Sequence, residues 1–156
     1  MAELLGAVET VEQKLVGLAE AIPADKYGWR PGEGVRSVGE VVMHVAADNY
    51  LLPAMAGTAA PAATGIKADD YSSVQKYEQT VPAKDAAIAA MKESFAHLRQ
   101  AMAAVPEDRL GESVSMFGQQ SSLLGLWVLT TTHLHEHLGQ MIAYARSNSI
   151  VPPWSR

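Results

Sequence analysis

Near the C-terminus the segment Thr130-Thr131-Thr132-His133-Leu134-His135-Glu136-His137-Leu138-Gly139-Gln140 carries three of the chain's five histidines. On a helix each residue turns the side chain by about 100°, so His133 and His137, four apart, lie one above the other on one face while His135 points elsewhere. Two imidazoles stacked in this way can grip one metal ion. Glu136 and Gln140 share that flank and are candidates to hold the rings in place. A His-x-x-x-His pair also arises by chance, so a metal needs at least one further donor from another part of the chain.

His44 is the candidate for that donor. It falls in a helical stretch whose apolar stripe is Val38, Val41, Val42, Val45 and Leu52, and it lies about 100° from the centre of that stripe, between Ser37 on one side and Asp48 and Leu51 on the other. As a third imidazole aimed at the pair, it would complete a three-histidine site. His97 has no partner at ligand spacing and is expected in solvent.

Three neutral imidazoles would leave a divalent ion with at least one open position, the mark of a catalytic rather than a structural site. Such an ion can lower the pKa of bound water toward ~7 or bind an incoming thiol as the thiolate. The chain has no cysteine, so any thiol nucleophile must arrive as a ligand. Asp48, Glu136 and Gln140 are the nearest candidates for orienting imidazoles or moving a proton. Zinc or nickel comes first as the ion, and manganese or iron also accepts nitrogen ligands.

The elements that must position these side chains are helical. With 48% hydrophobic residues, seven Met and two Phe in 156 residues, Ala-rich segments and little β-branched alternation, the chain reads as one all-α domain able to bury a core. Leu4, Val8, Val11, Leu15, Leu18 and Ile22 recur at steps of four and three, the seam of a first bundle helix closed by Pro23. Trp29, in the loop that follows, is expected to plug the bundle end. Ser37-Val38-Gly39-Glu40 has the form of a capping box, which predicts a second helix from Val38 to about Met55.

Residues 57 to 80 then make a connection long enough to cross the bundle between two parallel helices, with room for a short helix around Ser72 to Tyr77. Ile88, Met91, Phe95, Leu98, Met102 and Val105 define a third helix between Pro82 and Pro106. Pro106 to Gln120 reads as a loop. A fourth helix, capped by Ser121 or Ser122, runs to Arg146 and is expected to be the most buried, because it opens apolar nearly all round. The tail from Ile150 to Arg156 is expected as an extended, non-helical arm packed back on the bundle.

The net charge of −5 and the lack of any Lys/Arg cluster argue against nucleic acid as a partner. The N-terminus is acidic where a signal peptide needs a basic start, and no apolar run approaches the ~20 residues of a membrane span. A cytoplasmic protein that neither enters nor crosses a membrane is expected.

Trp29-Arg30-Pro31, Ser37-Val38-Gly39-Glu40-Val41-Val42-Met43-His44, His133-x-x-x-His137-Leu138-Gly139-Gln140 and the terminal Pro152-Pro153-Trp154-Ser155, in this order, resemble the DinB/YfiT-like superfamily over nearly the whole chain. The resemblance implies a four-helix bundle whose second and third helices run the same way. It also implies a homodimer, and a metal held by His44, His133 and His137. His135 has no counterpart in that set.

Some members resemble thiol S-transferases or isomerases that use a low-molecular-weight thiol such as bacillithiol, mycothiol or glutathione, so a small-molecule substrate is implied. Three readings stay open at this point: a metal-dependent thiol S-transferase acting on a small electrophile, a metal-hydroxide hydrolase, and a non-enzymatic, stress-related ligand-binding dimer.

Overall fold

In the computed structural model, which describes residues 1–155, the elements in chain order are α1 (Ala2–Ala21), α2 (Val38–Met55), α3 (Tyr71–Glu78), α4 (Lys84–Ala103), β1 (Ser113–Met116), β2 (Gln119–Ser122) and α5 (Leu123–Ser147). The seams read from the sequence are the buried ones. Val8, Val11, Leu15, Leu18 and Ile22 of the first seam are buried, as are Met91, Phe95, Leu98 and Met102 of α4. Each fully buried aliphatic or aromatic side chain of this kind contributes roughly 1.5–3 kcal/mol of transfer free energy.

The capping box sets the start of α2. The Ser37 hydroxyl accepts from the Glu40 amide at 3.3 Å, and the Ser37 amide donates to Glu40 Oε2 at 2.6 Å. Two of the free donors of the first turn are thereby satisfied.

α1 packs on α4 and α5, and α2 packs on the same two helices, so α1 and α2 occupy one diagonal of the bundle and α4 and α5 the other. Contacts along the interfaces give the directions. Asn49 donates to Ser94, and Tyr50 lies against His97. Gly39, near the start of α2, lies beside Val81, just ahead of α4. Residue numbers therefore rise together, and α2 and α4 are parallel.

Lys84 reaches the carbonyls of Glu20 and Ile22, Lys92 pairs with Glu20, and Arg99 pairs with Glu12, so α1 and α4 are antiparallel. A parallel α2–α4 pair requires the chain to return along the ~27 Å length of α2. Residues 56–83 do this, carrying α3 on the way. Asp70 caps α3 by accepting from the Ser72 amide at 3.0 Å.

Four expectations are corrected. Pro106 to Gln120 is not all loop, because Ser113–Met116 and Gln119–Ser122 pair as an antiparallel hairpin whose register matches Met116 with Gln119. β1, Ser-Val-Ser-Met, alternates over only four residues, and β2, Gln-Gln-Ser-Ser, has no apolar residue to answer it. Val114 anchors them, against Leu52, Leu123 and Leu126, with Met116 packed beside it. The most buried helix is α2 rather than the last: fifteen of its eighteen residues are buried, because it touches α4, α5, α3 and the hairpin.

His97 is half-buried rather than in solvent, tilted on Tyr50 at 5.3 Å between ring centroids. Burial holds its pKa below the ordinary histidine value. The tail does pack back, with Pro153 against Gly17 and Trp154 under Lys14, but Pro153–Ser155 form a turn of 3₁₀ helix instead of an extended arm. Arg156 lies outside the described residues.

Candidate metal centre

Because α2 and α5 pack with residue 44 opposite residues 133–137, the three imidazoles meet in the middle of the bundle. His44 stands edge-on to both others, with ring centroids 5.4 Å from His133 and 4.5 Å from His137, and the latter two are 4.4 Å apart. One ring nitrogen from each lies within 4.8 Å of the others. Nε2 of His133 and Nε2 of His137 are 3.2 Å apart. Metal–nitrogen bonds of 2.0–2.1 Å at tetrahedral angles separate ligand nitrogens by about 3.4 Å, so the donor set fits a divalent ion.

The outer nitrogens show which tautomers are present. Tyr144 donates its hydroxyl proton to the Arg36 carbonyl at 2.9 Å, and a carbonyl can only accept. The Tyr144 oxygen therefore receives the side-chain amide of Gln140 at 2.9 Å. This turns Gln140 Oε1 toward His137 Nδ1, also at 2.9 Å, so Nδ1 must donate and Nε2 keeps its lone pair for the centre.

The steps from 137 to 140 to 144 keep this relay on one face of α5. Trp29 packs edge-on to Tyr144 with centroids 5.3 Å apart, so the loop tryptophan braces the relay as well as the bundle end. His44 is oriented in the same way: its Nδ1 lies 2.7 Å from Glu78 Oε1, and a carboxylate accepts, so Nδ1 donates outward and Nε2 is the inward nitrogen.

His133 differs. Its Nε2, the inward nitrogen, lies 2.7 Å from Asp48 Oδ2, so in this arrangement it carries a proton where His137 presents a lone pair. The same Asp48 oxygen is 3.3 Å from His44 Nε2. The Asp48 hydrogen bond holds the His133 pKa above the ordinary value. His137 goes the other way, pushed down to about 4 by burial, with the charges of His44 and His133 adding to the shift. Burial raises the Glu78 carboxyl, but its hydrogen bond to His44 and the nearby Arg36 outweigh this and leave it below the ordinary range.

Among the residues picked out from sequence, His44, His133, His137, Asp48 and Gln140 come together. Glu136 stays at the margin: its carboxylate is 3.5 Å from His133 Nδ1 with the side chain 75% exposed. His135 points outward and bonds the Thr131 carbonyl. Glu78 was not found from sequence. It closes a short helix in the crossover, 34 residues from its partner, and no spacing rule links such positions.

His44, Asp48 and His133 form one wall of a cavity of ≈ 160 Å³, whose other walls are Leu52, Leu129, Tyr71 and Phe117. Two of the three imidazoles thus face a small, largely apolar chamber, as expected of a site that excludes water around a reacting group.

No curated protein matches the chain. Solved structures resemble it at 13–17% identity, which shows a shared fold. A DinB-like protein of Bacillus subtilis, YjoA, superposes with a TM-score of 0.72 at 17% identity, covering 96% of this chain and 94% of that one. YfiT from Bacillus subtilis, described as a probable metal-dependent hydrolase with an unusual four-helix bundle topology, gives 0.71 at 13% identity over 96% and 88%. A mycothiol-dependent maleylpyruvate isomerase gives 0.74 at 16% identity, but while 90% of this chain is covered, it spans 60% of that enzyme. A sequence profile of the DinB superfamily matches residues 7–141, and on that match the chain belongs to the DinB superfamily.

Proposed function

We propose that the protein is a metal-dependent enzyme in which His44, His133 and His137 hold one divalent ion, zinc or nickel before manganese or iron, and that it joins an external thiol to a small electrophile. The observation that carries this reading is the convergence of three imidazoles, one ring nitrogen of each within 4.8 Å of the others, with His44 and His133 on the wall of a cavity, because a purely structural ion would be enclosed by its ligands. The absence of cysteine is consistent with a nucleophile brought by a co-substrate.

When bound, the ion supplies a double positive charge that makes a coordinated donor more acidic and polarises an oxygen. The protein supplies the rest. Gln140 and Glu78 keep the lone pairs of His137 and His44 pointed inward. Once His133 Nε2 has given up its proton, the Asp48 carboxylate at the cavity wall has lost that partner and is placed to accept the proton of the nucleophile. Leu52 and Leu129 exclude water from the reacting atoms.

The position of Asp48 also favours a second reading, hydrolysis, since a carboxylate that can accept a proton from a thiol can accept one from water. The two readings separate on thiol dependence. The purified, metal-loaded protein should consume an electrophile only with a low-molecular-weight thiol present; turnover without thiol replaces the first reading by the second. Elemental analysis should find a stoichiometric ion in the wild type and little in His133→Ala. Equal metal content and activity in the two proteins would leave only ligand binding by the bundle. A homodimer and a cytoplasmic location belong to the same reading, and light scattering on the purified protein tests the first of these.

A further inference from the structure

Next to the ≈ 160 Å³ chamber lies a larger cavity of ≈ 480 Å³, bounded by α2, the crossover and the hairpin tip. Tyr71 and Phe117 line both, so two aromatic rings stand where the inner chamber meets the outer one. Phe117 is out of place by every rule of local structure. It is the first central residue of the two-residue hairpin turn, with φ +48° followed by Gly118 at +80°, and such a turn favours Asn, Asp or Gly. A bulky side chain at positive φ is an outlier.

Packing does not account for it either. Phe117 is 61% exposed, and Val114 anchors the hairpin instead. Backbone conformations of this kind persist where function holds them. Charge narrows what could use the rings: among the described residues no lysine or arginine lines either cavity, and the one charged side chain of the outer cavity, Asp69, disfavours an anionic group there. Arg36 is tied to Glu78 and lines neither.

Resting on the metal-enzyme reading above, we propose that Phe117 and Tyr71 clasp an uncharged aromatic ring of the substrate at this junction while a donor atom of the same molecule reaches the histidine wall. Offset or edge-on contact with two rings recognises a flat apolar group without demanding hydrogen bonds. The outer cavity takes whatever the ring carries, provided it bears no negative charge.

Two metal-binding probes test this, with affinity rather than turnover as the readout. Calorimetry on the metal-loaded protein should find benzohydroxamate about tenfold tighter than acetohydroxamate, which has the same chelating group and no ring. 4-Carboxybenzohydroxamate should bind more weakly than benzohydroxamate. In Phe117→Asn the two simple hydroxamates should bind alike, and the variant should melt no lower than the wild type, because Asn tolerates the positive φ that Phe resists.

Equal affinities in the wild type, or a ring advantage that survives Phe117→Asn, overturns the clasp while leaving the metal centre standing. Binding of neither hydroxamate by protein that carries its ion overturns the open coordination position, and the clasp with it.

Discussion

Asp48 Oδ2 sits 2.7 Å from Nε2 of His133, the nitrogen that faces the other two imidazoles rather than the one facing away. A carboxylate that merely steadied a ligand would take the outer nitrogen, as Glu78 does for His44. Asp48 instead keeps a proton at the centre of the cluster, where a cation would otherwise lie.

Metal uptake should therefore release a proton from His133 but not from His137. The raised pKa of His133 leaves it protonated at and somewhat above the ordinary histidine range, and His137, held down to about 4, is already neutral there. Affinity should fall as pH drops through the raised pKa of His133, and His137 should add its own loss near pH 4. Calorimetry of metal binding in buffers of different ionisation enthalpy near neutral pH measures the released proton. A release that tracked His137 instead would contradict the assignment.

The relay from His137 through Gln140 and Tyr144 to the Arg36 carbonyl predicts graded losses. Gln140→Ala removes the acceptor that sets the His137 tautomer and should weaken metal binding roughly 10–100-fold. Tyr144→Phe keeps Gln140 but frees its amide to flip, so its effect should be smaller and should vanish in the Gln140→Ala background, as for two residues of one network. Competition with a chromogenic chelator gives both numbers. Equal, additive effects would mean the hydroxyl acts elsewhere.

Glu78→Gln keeps the shape of the side chain, but its amide can turn a donor toward His44 Nδ1 where a carboxylate only accepts. Metal affinity should drop by a similar 10–100-fold. The variant's unfolding midpoint should change little, because the companion pair with Arg36 is largely exposed on the arginine side. A large stability loss with unchanged metal affinity would make Glu78 a structural residue.

The ligands were legible from sequence because helical spacing is a local property. His133 and His137 need only one regular helix, and the Ser37–Glu40 capping box fixes the register that brings His44 inward. What holds those ligands was legible only where it shares their helix, as Gln140 does. Glu78 and Trp29 reach the site across the bundle, and no periodicity connects them to it. The hairpin was missed because Ser-Val-Ser-Met alternates too briefly to stand out, its partner Gln-Gln-Ser-Ser is wholly polar, and Phe-Gly is not a favoured turn pair. The error on His97 has the same origin: a helical wheel locates the seam of α4 but not Tyr50, which leans on it from α2.

Removing the ion should loosen the protein without unfolding it. The main cluster that joins α1, α2, α4 and α5 is built from residues such as Val11, Leu18, Val41, Phe95 and Trp127, each essentially free of solvent, and none of them depends on a metal, unlike the core of a zinc finger. The Asp48–His133 pair supplies a charge-balanced contact when no cation is present. With free metal at 100 times its dissociation constant, linkage stabilises the fold by about 2.7 kcal/mol, which at this chain length shifts the melting midpoint by roughly 5–10 °C. A chelator should therefore lower the midpoint by that amount and leave the far-ultraviolet circular dichroism at 25 °C intact. In His133→Ala the chelator should have little further effect. A helical signal that collapses on chelation would instead make the ion part of the folding nucleus and overturn the separation between core and centre.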